Sequence, residues 1–279
     1  MALSSLQAHF TDHFDSARDN RVVKICLGRY NASLGSIYVP YELLESVYGS
    51  HHHAYYHQPK SGTALELLLS RSNCPEVLGL FVQWLYTGKY TELNGPVKNV
   101  DCSTTTPLLD MCESHGKDTM EWTVKAAVLA WSLGQELHVP AFQNYAMTRL
   151  FAAFSRPSKR PLLTPALYEC VSILDRGSFE RLLIGGLAAK LEWKHKGHLE
   201  RAMDVTIIRN WGDAAVVDQE DLESWASVLG SCDGFRTKFL EGSLLSLEKR
   251  REKVLVAEAY FVPLRTRPRK PSLTIVRKD

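Results

Sequence analysis

Apolar positions change period several times along this chain, and each change predicts an element. Val22 to Leu27 is a β-branched run with Lys24 embedded in it, and Ile37 to Val39 repeats the pattern after Gly35-Ser36, which predicts a β-hairpin. Pro40 then opens Tyr41 to Tyr48, where Leu43, Leu44 and Val47 recur at helical spacing before Gly49. Leu65 to Leu69 is short and nearly all leucine, the mark of a mostly buried strand. Pro75 suits the first position of a helix, where a missing N–H costs nothing, and Val77, Leu80, Phe81, Trp84 and Leu85 line one face until Gly88 stops it.

From Thr91 to about Met120 the pattern turns polar, with Asn94-Gly-Pro96 and Ser103-Thr-Thr-Thr-Pro107 as breakers, so a long exposed loop is expected, Leu108 to Met111 supplying at most a helical turn. Val124, Ala127, Val128 and Trp131 then mark an amphipathic helix, and Pro140 starts another whose Phe142, Tyr145, Ala146 and Leu150 share a face. Ser155 to Pro161 is polar and holds two prolines, which makes it the clearest linker. Beyond it Thr164-Pro165 reads as an N-cap followed by a first-turn proline, and the pattern stays helical with breaks near Gly177, Gly197 and Gly230. A last helix is expected from about Gly234 to Lys253, with Phe235, Phe239 and Leu245 on its apolar side, followed after Pro263 by a tail without core pattern.

Composition adds limits. The chain has 279 residues, 45% of them hydrophobic, enough for one large domain or two small ones. Lys and Arg number 33 against 31 Asp and Glu, so no global field gathers nucleic acid or an anionic membrane, and neither partner is predicted. The six cysteines are scattered without a Cys-x-x-Cys pair, which fits reduced thiols in the cytoplasm or nucleus. The first ten residues lack a basic flank and a long apolar core, and the apolar run Leu182 to Ala189 falls far short of the ~20 residues that span a bilayer, so an intracellular protein is expected.

The pattern of these elements resembles a BTB/POZ domain of the divergent kind found in fungal proteins. In that family a strand hairpin leads into a helix with paired leucines, then a strand, then a helix ending in a Trp-Leu-Tyr-Thr-Gly-like phrase, then a two-helix unit. Here Val22 to Leu27, Ile37 to Val39, Leu43-Leu44, Leu65 to Leu69, Trp84 to Gly88 and Leu133 to Asn144 occur in that order. The likeness covers residues 18 to 155, and the helical remainder resembles the C-terminal extension common in fungal members. Pro40 and Tyr41 stand where family members often have histidine and lysine, and residues 49 to 62 lack the usual Phe-Phe phrase.

The resemblance implies an α+β fold, a BTB/POZ-like domain of small sheet and helical hairpins followed by an all-α region. The corresponding division is an N-terminal segment 1–17, a domain 18–155 with its polar loop at 91–120, a helical region 156–255 and a basic mobile tail 256–279. It implies protein–protein contact, commonly as a homodimer and sometimes as an adaptor that recruits a cullin to a ubiquitin ligase, the latter on analogy of fold alone.

Specific residues sharpen or blunt these expectations. Leu6, Phe10 and Phe14 recur every four residues, which on a helix makes one apolar stripe; docking on its own domain, docking on a partner subunit and a free terminus all remain open. Burying each such side chain contributes roughly 1.5–3 kcal/mol. His51, His52, His53 and His57 invite a metal reading, but Gly49-Ser50 and Pro59 interrupt the helix that paired ligands need, so a solvated loop is expected and no metal site is assigned. The basic run Arg265 to Lys270 reads as a phosphate-binding segment, an import signal or a solvated tail. Glu248 to Lys253 reads as mixed charge at a helix end. Trp84 and Trp131 are expected in the core, each sending its N–H to one partner, and Trp122, Trp193, Trp211 and Trp225 likewise.

An enzyme is the competing class. The chain contains no Gly-x-Ser-x-Gly elbow, no phosphate loop of the Gly-x-x-x-x-Gly-Lys type, no Gly-x-Gly-x-x-Gly and no His-Glu-x-x-His, so no catalytic residue or cofactor is assigned. Dispersed catalytic residues would escape such a scan; a convergent pocket with perturbed acids in the helical half would favour them, a flat apolar patch would favour contact.

Overall fold

A computed structural model describes residues 22–27, 35–48, 65–69, 75–91, 122–156, 162–174 (apart from 170 and 173) and 197–264 (apart from 232 and 253). The stripe of Leu6, Phe10 and Phe14, the histidines at 51–53 and 57, the polar loop, Trp193 and the basic tail from Arg265 lie outside these residues.

Within them the fold is α+β. Strand β1 (Val22–Leu27) pairs antiparallel with β2 (Gly35–Pro40) and parallel with β3 (Leu65–Leu69), giving a mixed sheet in the order β2-β1-β3. The hairpin registers Val23 against Val39 and Ile25 against Ile37, while β3 sets Leu67 beside Ile25. Side chains alternate across the sheet, so Val23, Ile25, Val39 and Leu67 enter the core together. Helix α1 (Tyr41–Tyr48) follows β2 without a break and buries Tyr41 and Leu44.

Helix α2 (Pro75–Thr87) buries the expected face and also Leu78 and Val82, so it is enclosed on more than one side. It ends where Gly88 turns left-handed at φ 70° and donates its N–H to the Trp84 carbonyl at 2.7 Å, a C-cap that a side chain would strain. The turn swings Tyr90 back against the next unit.

That unit is the helix pair α3 (Trp122–Glu136) and α4 (Pro140–Phe154). Pro140 occupies the first turn of α4 as expected, after an elbow in which the Val139 N–H reaches the Gly134 carbonyl at 2.8 Å. A Cβ on Gly134 would meet Gln143 Cγ at 2.8 Å, so glycine lets the two helices close. The periodicity suggested an amphipathic α3, whereas every residue from Trp122 to Trp131 is buried, Lys125 included. Alanines at 126, 127 and 130 leave room for neighbours on all sides, so the helix is central. Trp131 is a core residue, but its indole N–H has no hydrogen-bond partner, contrary to expectation.

The helical half shares one continuous core with the sheet half. Thr164 caps the helical stretch that Pro165 opens, accepting from the Leu167 N–H at 3.1 Å. Leu163 makes an isolated parallel bridge to Val217, tying that entry to a distant loop. Helices α5 (His198–Asn210), α6 (Leu222–Ser231) and α7 (Asp233–Ser243) follow, the last two joined to the core through Trp225, Phe235 and Phe239. Trp211 is T-stacked on both Trp225 and Phe239, at 5.5 and 4.7 Å.

The single terminal helix expected over 234–253 is two. Helix α8 (Leu247–Glu252) starts anew because Ser246 Oγ accepts the Lys249 N–H at 3.3 Å, and Leu245, in the break, is 49% exposed. The tail also begins later than expected. A 3₁₀ turn (Ala257–Tyr260) and Val262 are packed into the core, so residues up to 262 belong to the folded body. No helix among the described residues is long and apolar enough to cross a membrane.

The lock between the two units is Phe142, fully buried with ring centroids 5.1 Å from Phe81, 5.1 Å from Trp84 and 6.0 Å from Tyr90. Removing the ring leaves a cavity shared by α2, α4 and the turn after Gly88, so Phe142→Ala is expected to cost about 3–5 kcal/mol of stability. Denaturant unfolding with the slope held fixed measures it, and a loss below about 1 kcal/mol would mean that the lock is elsewhere.

Candidate interaction surfaces and a buried acid

Alternation that sends Val23 and Ile25 inward sends Val22, Lys24, Tyr38 and Pro40 to the opposite face. In the hairpin register Val22 stands opposite Pro40 and Lys24 opposite Tyr38, which makes Val22 and Tyr38 diagonal neighbours. Val22 is 37% and Tyr38 50% exposed, so an aromatic and an aliphatic group share one open patch. Further along the same face Cys26 is buried, and the patch is therefore bounded. On β3 the residue level with Lys24 is Glu66.

A second set of exposed apolar side chains lies in the helical half: Leu240, Leu244 and Leu245 at the end of α7, and Val254 and Val256 after α8. Of the expected apolar side Phe235 and Phe239 stay buried, and the break at Ser246 leaves Leu245 exposed.

Arg250 and Arg251, read from the sequence as ordinary helix-end charge, have a longer reach. Arg250 donates to the carbonyls of Ile208 at 2.9 Å and Trp211 at 2.7 Å, satisfying acceptors that the end of α5 leaves open. Arg251 bonds Asn210 and Asp213 beside them. Burial, then the neighbouring Arg251 charge, holds the Arg250 guanidinium below its ordinary value. Helix α8 is thereby pinned to α5 by its cations and not by an apolar face, since none of its residues is buried.

Asp204 on α5 is the one buried acid with a resolved shift among the described residues. Tyr168 donates its hydroxyl to Asp204 Oδ1 at 2.9 Å, and Lys238 of α7 places Nζ 3.5 Å from Oδ2. Glu200, one turn earlier on α5, also lies within 3.5 Å of the Tyr168 hydroxyl. Burial pushes the Asp204 carboxyl above its ordinary value and Glu200 adds to this, against the lowering pull of Tyr168 and Lys238. Both carboxyl oxygens are thus held by the fold, and the acid acts as a joint between the stretch after Pro165, α5 and α7. No group of three or more potential metal ligands occurs among the described residues.

This acid leaves little mark in the local sequence, because its partners are 36 residues upstream and in another helix downstream. The four-residue spacing of Glu200 and Asp204 on one helix was the only local signal. The expected interaction residues Leu6, Phe10 and Phe14 lie outside the described residues. Compared with known protein families, curated proteins and solved structures, the chain matches none.

The acid sets a pH dependence. With its folded pKa raised, Asp204 holds its proton to a higher pH in the native state than in the unfolded chain, whose ordinary value is 3.8, so over that interval the native state binds more protons and stability falls as pH rises through the folded pKa. Asp204→Asn keeps an acceptor for Tyr168 and cannot ionise. Chemical unfolding measured across that range is expected to show a flatter stability–pH curve for the variant; equal slopes would contradict the assignment.

Proposed function

We propose that this protein is a non-enzymatic interaction module, built on a BTB/POZ-like platform, that self-associates through the open face of its sheet. The observation that carries the reading is the exposed pair Val22 and Tyr38 on a sheet whose opposite face buries Val23, Ile25, Val39 and Leu67. Supporting it is the order of elements: hairpin, helix, parallel strand, helix, then a helix pair closed by a proline. Such a platform is rigid, and rigid apolar surface loses little entropy when covered. Strand β2 also ends the sheet with an unpaired edge among the described residues, where a second chain gains main-chain hydrogen bonds.

The stripe Leu6, Phe10 and Phe14 immediately precedes β1 in the chain and carries the apolar chemistry that such a face accepts. Covering it on a partner subunit uses no bond-making step. The mechanism is burial alone, and the buried acid Asp204 serves the joint between helices and not a reaction.

Light scattering of the full chain over a range of concentrations tests this directly. Mass is expected to rise toward a dimer, and both deletion of residues 1–17 and the substitution Tyr38→Glu are expected to weaken association at least about tenfold, the effect of about 1.4 kcal/mol. A full chain that stays monomeric at high concentration removes the self-association reading.

A further inference from the structure

The segment after α8 is seated like a ligand. Its Val262 backbone makes two hydrogen bonds with a single side chain of α4: the Val262 N–H donates to Asn144 Oδ1 at 2.6 Å, and Asn144 Nδ2 donates to the Val262 carbonyl at 2.8 Å. An amide that binds both polar groups of one residue holds extended backbone without reference to its side chain. Two turns further on α4, Phe151 stacks on the Tyr260 ring at 5.5 Å and 22°. From α5, His198 Nδ1 donates to the Tyr260 carbonyl at 3.0 Å, which fixes the proton on that nitrogen. Val262 is 1% and Ala257 8% exposed.

The two flanks of this strap differ from its middle. Val254 is 73% and Val256 48% exposed on one side, and Leu264 61% on the other. A segment gripped at its centre, with exposed side chains at Val254, Val256 and Leu264, can lift as a unit once Leu255 and its own few contacts open.

We infer that α4 and α5 form a peptide-binding groove which the chain fills with its own residues 257–262, and that the same groove accepts this strap from a second copy of the chain. The second copy is the occupant because its strap brings the same Tyr260 ring, the same Val262 side chain and the same backbone spacing, so each contact made within one chain is reproduced between two. Val254 and Val256, exposed on either side of the partly buried Leu255, supply the hinge. This exchange is separate from association through the sheet and does not depend on it.

A protease site inserted between Val254 and Leu255 of the full chain allows the strap to be cut loose after folding. A fluorescent synthetic peptide with the sequence of residues 255–264 is then expected to enter the cut protein saturably at one site. Asn144→Ala is expected to weaken that uptake at least about tenfold, through the loss of two hydrogen bonds. A labelled, uncut full chain carrying Asn144→Ala is also expected to dock on the cut protein, and unlabelled peptide is expected to displace it, as it would not displace a sheet contact. A cut protein that keeps its circular dichroism yet takes up no peptide, or takes up a scrambled one equally, overturns the groove. Uptake of peptide without docking of the uncut chain overturns exchange between copies. Hydrogen exchange in the uncut chain gives a reading that does not rely on cutting: the Val262 amide is expected to open more easily than the whole protein, and exchange only through global unfolding overturns the inference.

Discussion

Four aromatic rings from three parts of the chain meet at Phe142, and the rest of the molecule is arranged around that meeting. Phe81 and Trp84 bring α2, Tyr90 brings the turn after it, and Phe142 brings α4. Each ring depends on a backbone device to arrive. Gly88 reverses the chain so that Tyr90 returns and stacks on Tyr145 at 4.9 Å, and the Val139–Pro140 elbow starts α4 at the angle that points Phe142 inward. Gly134 then allows the helices to approach. Because the sheet shares one core with this assembly, a loose aromatic joint would also loosen the surface that the sheet presents.

What was legible in the sequence follows from range. Strand β1, helix α1, strand β3, the start of α2 and the break at Pro140 are written in local signals: β-branched runs, a proline at a first turn, a glycine at an end. Those five features place the α+β half. The signals that failed were non-local. Helix α3 was read as amphipathic because Val124, Ala127, Val128 and Trp131 share a face, but the small residues opposite them are buried too, and periodicity cannot distinguish an alanine that faces water from one that faces another helix. The strap falls inside the tail expected at 256–279, because Val262 pairs with Asn144 across 118 residues, a link with no trace in local pattern. The candidate site fared in the same way: the acid at 204 carries meaning only once Tyr168 and Lys238 are beside it.

The two halves are stabilised differently. The sheet half is held by apolar and aromatic contacts, which do not change with pH and tolerate small rearrangements poorly. The helical half adds polar joints: Asp204 with Tyr168, Arg250 on the end of α5, Asn144 on Val262. A satisfied buried joint adds only a modest net stability, while a broken one leaves a donor or acceptor dry at a larger cost. Such joints therefore close in one geometry or not at all.

That difference has a consequence for how contact can be controlled. A surface backed by close-packed rings is present at all times, so the association proposed for it would answer only to concentration. A strap gripped by one amide, one ring stack and one histidine is a two-state element whose alternative is solvation of the same few groups. Asn144 is neutral, so leaving the groove strands no buried charge, unlike the separation of Asp204 from Lys238. Of the three joints named above, the strap is the one whose opening exposes hydrogen-bonding groups and modest apolar area without ionic cost, which makes it the element best suited to exchange while the aromatic lock stays shut.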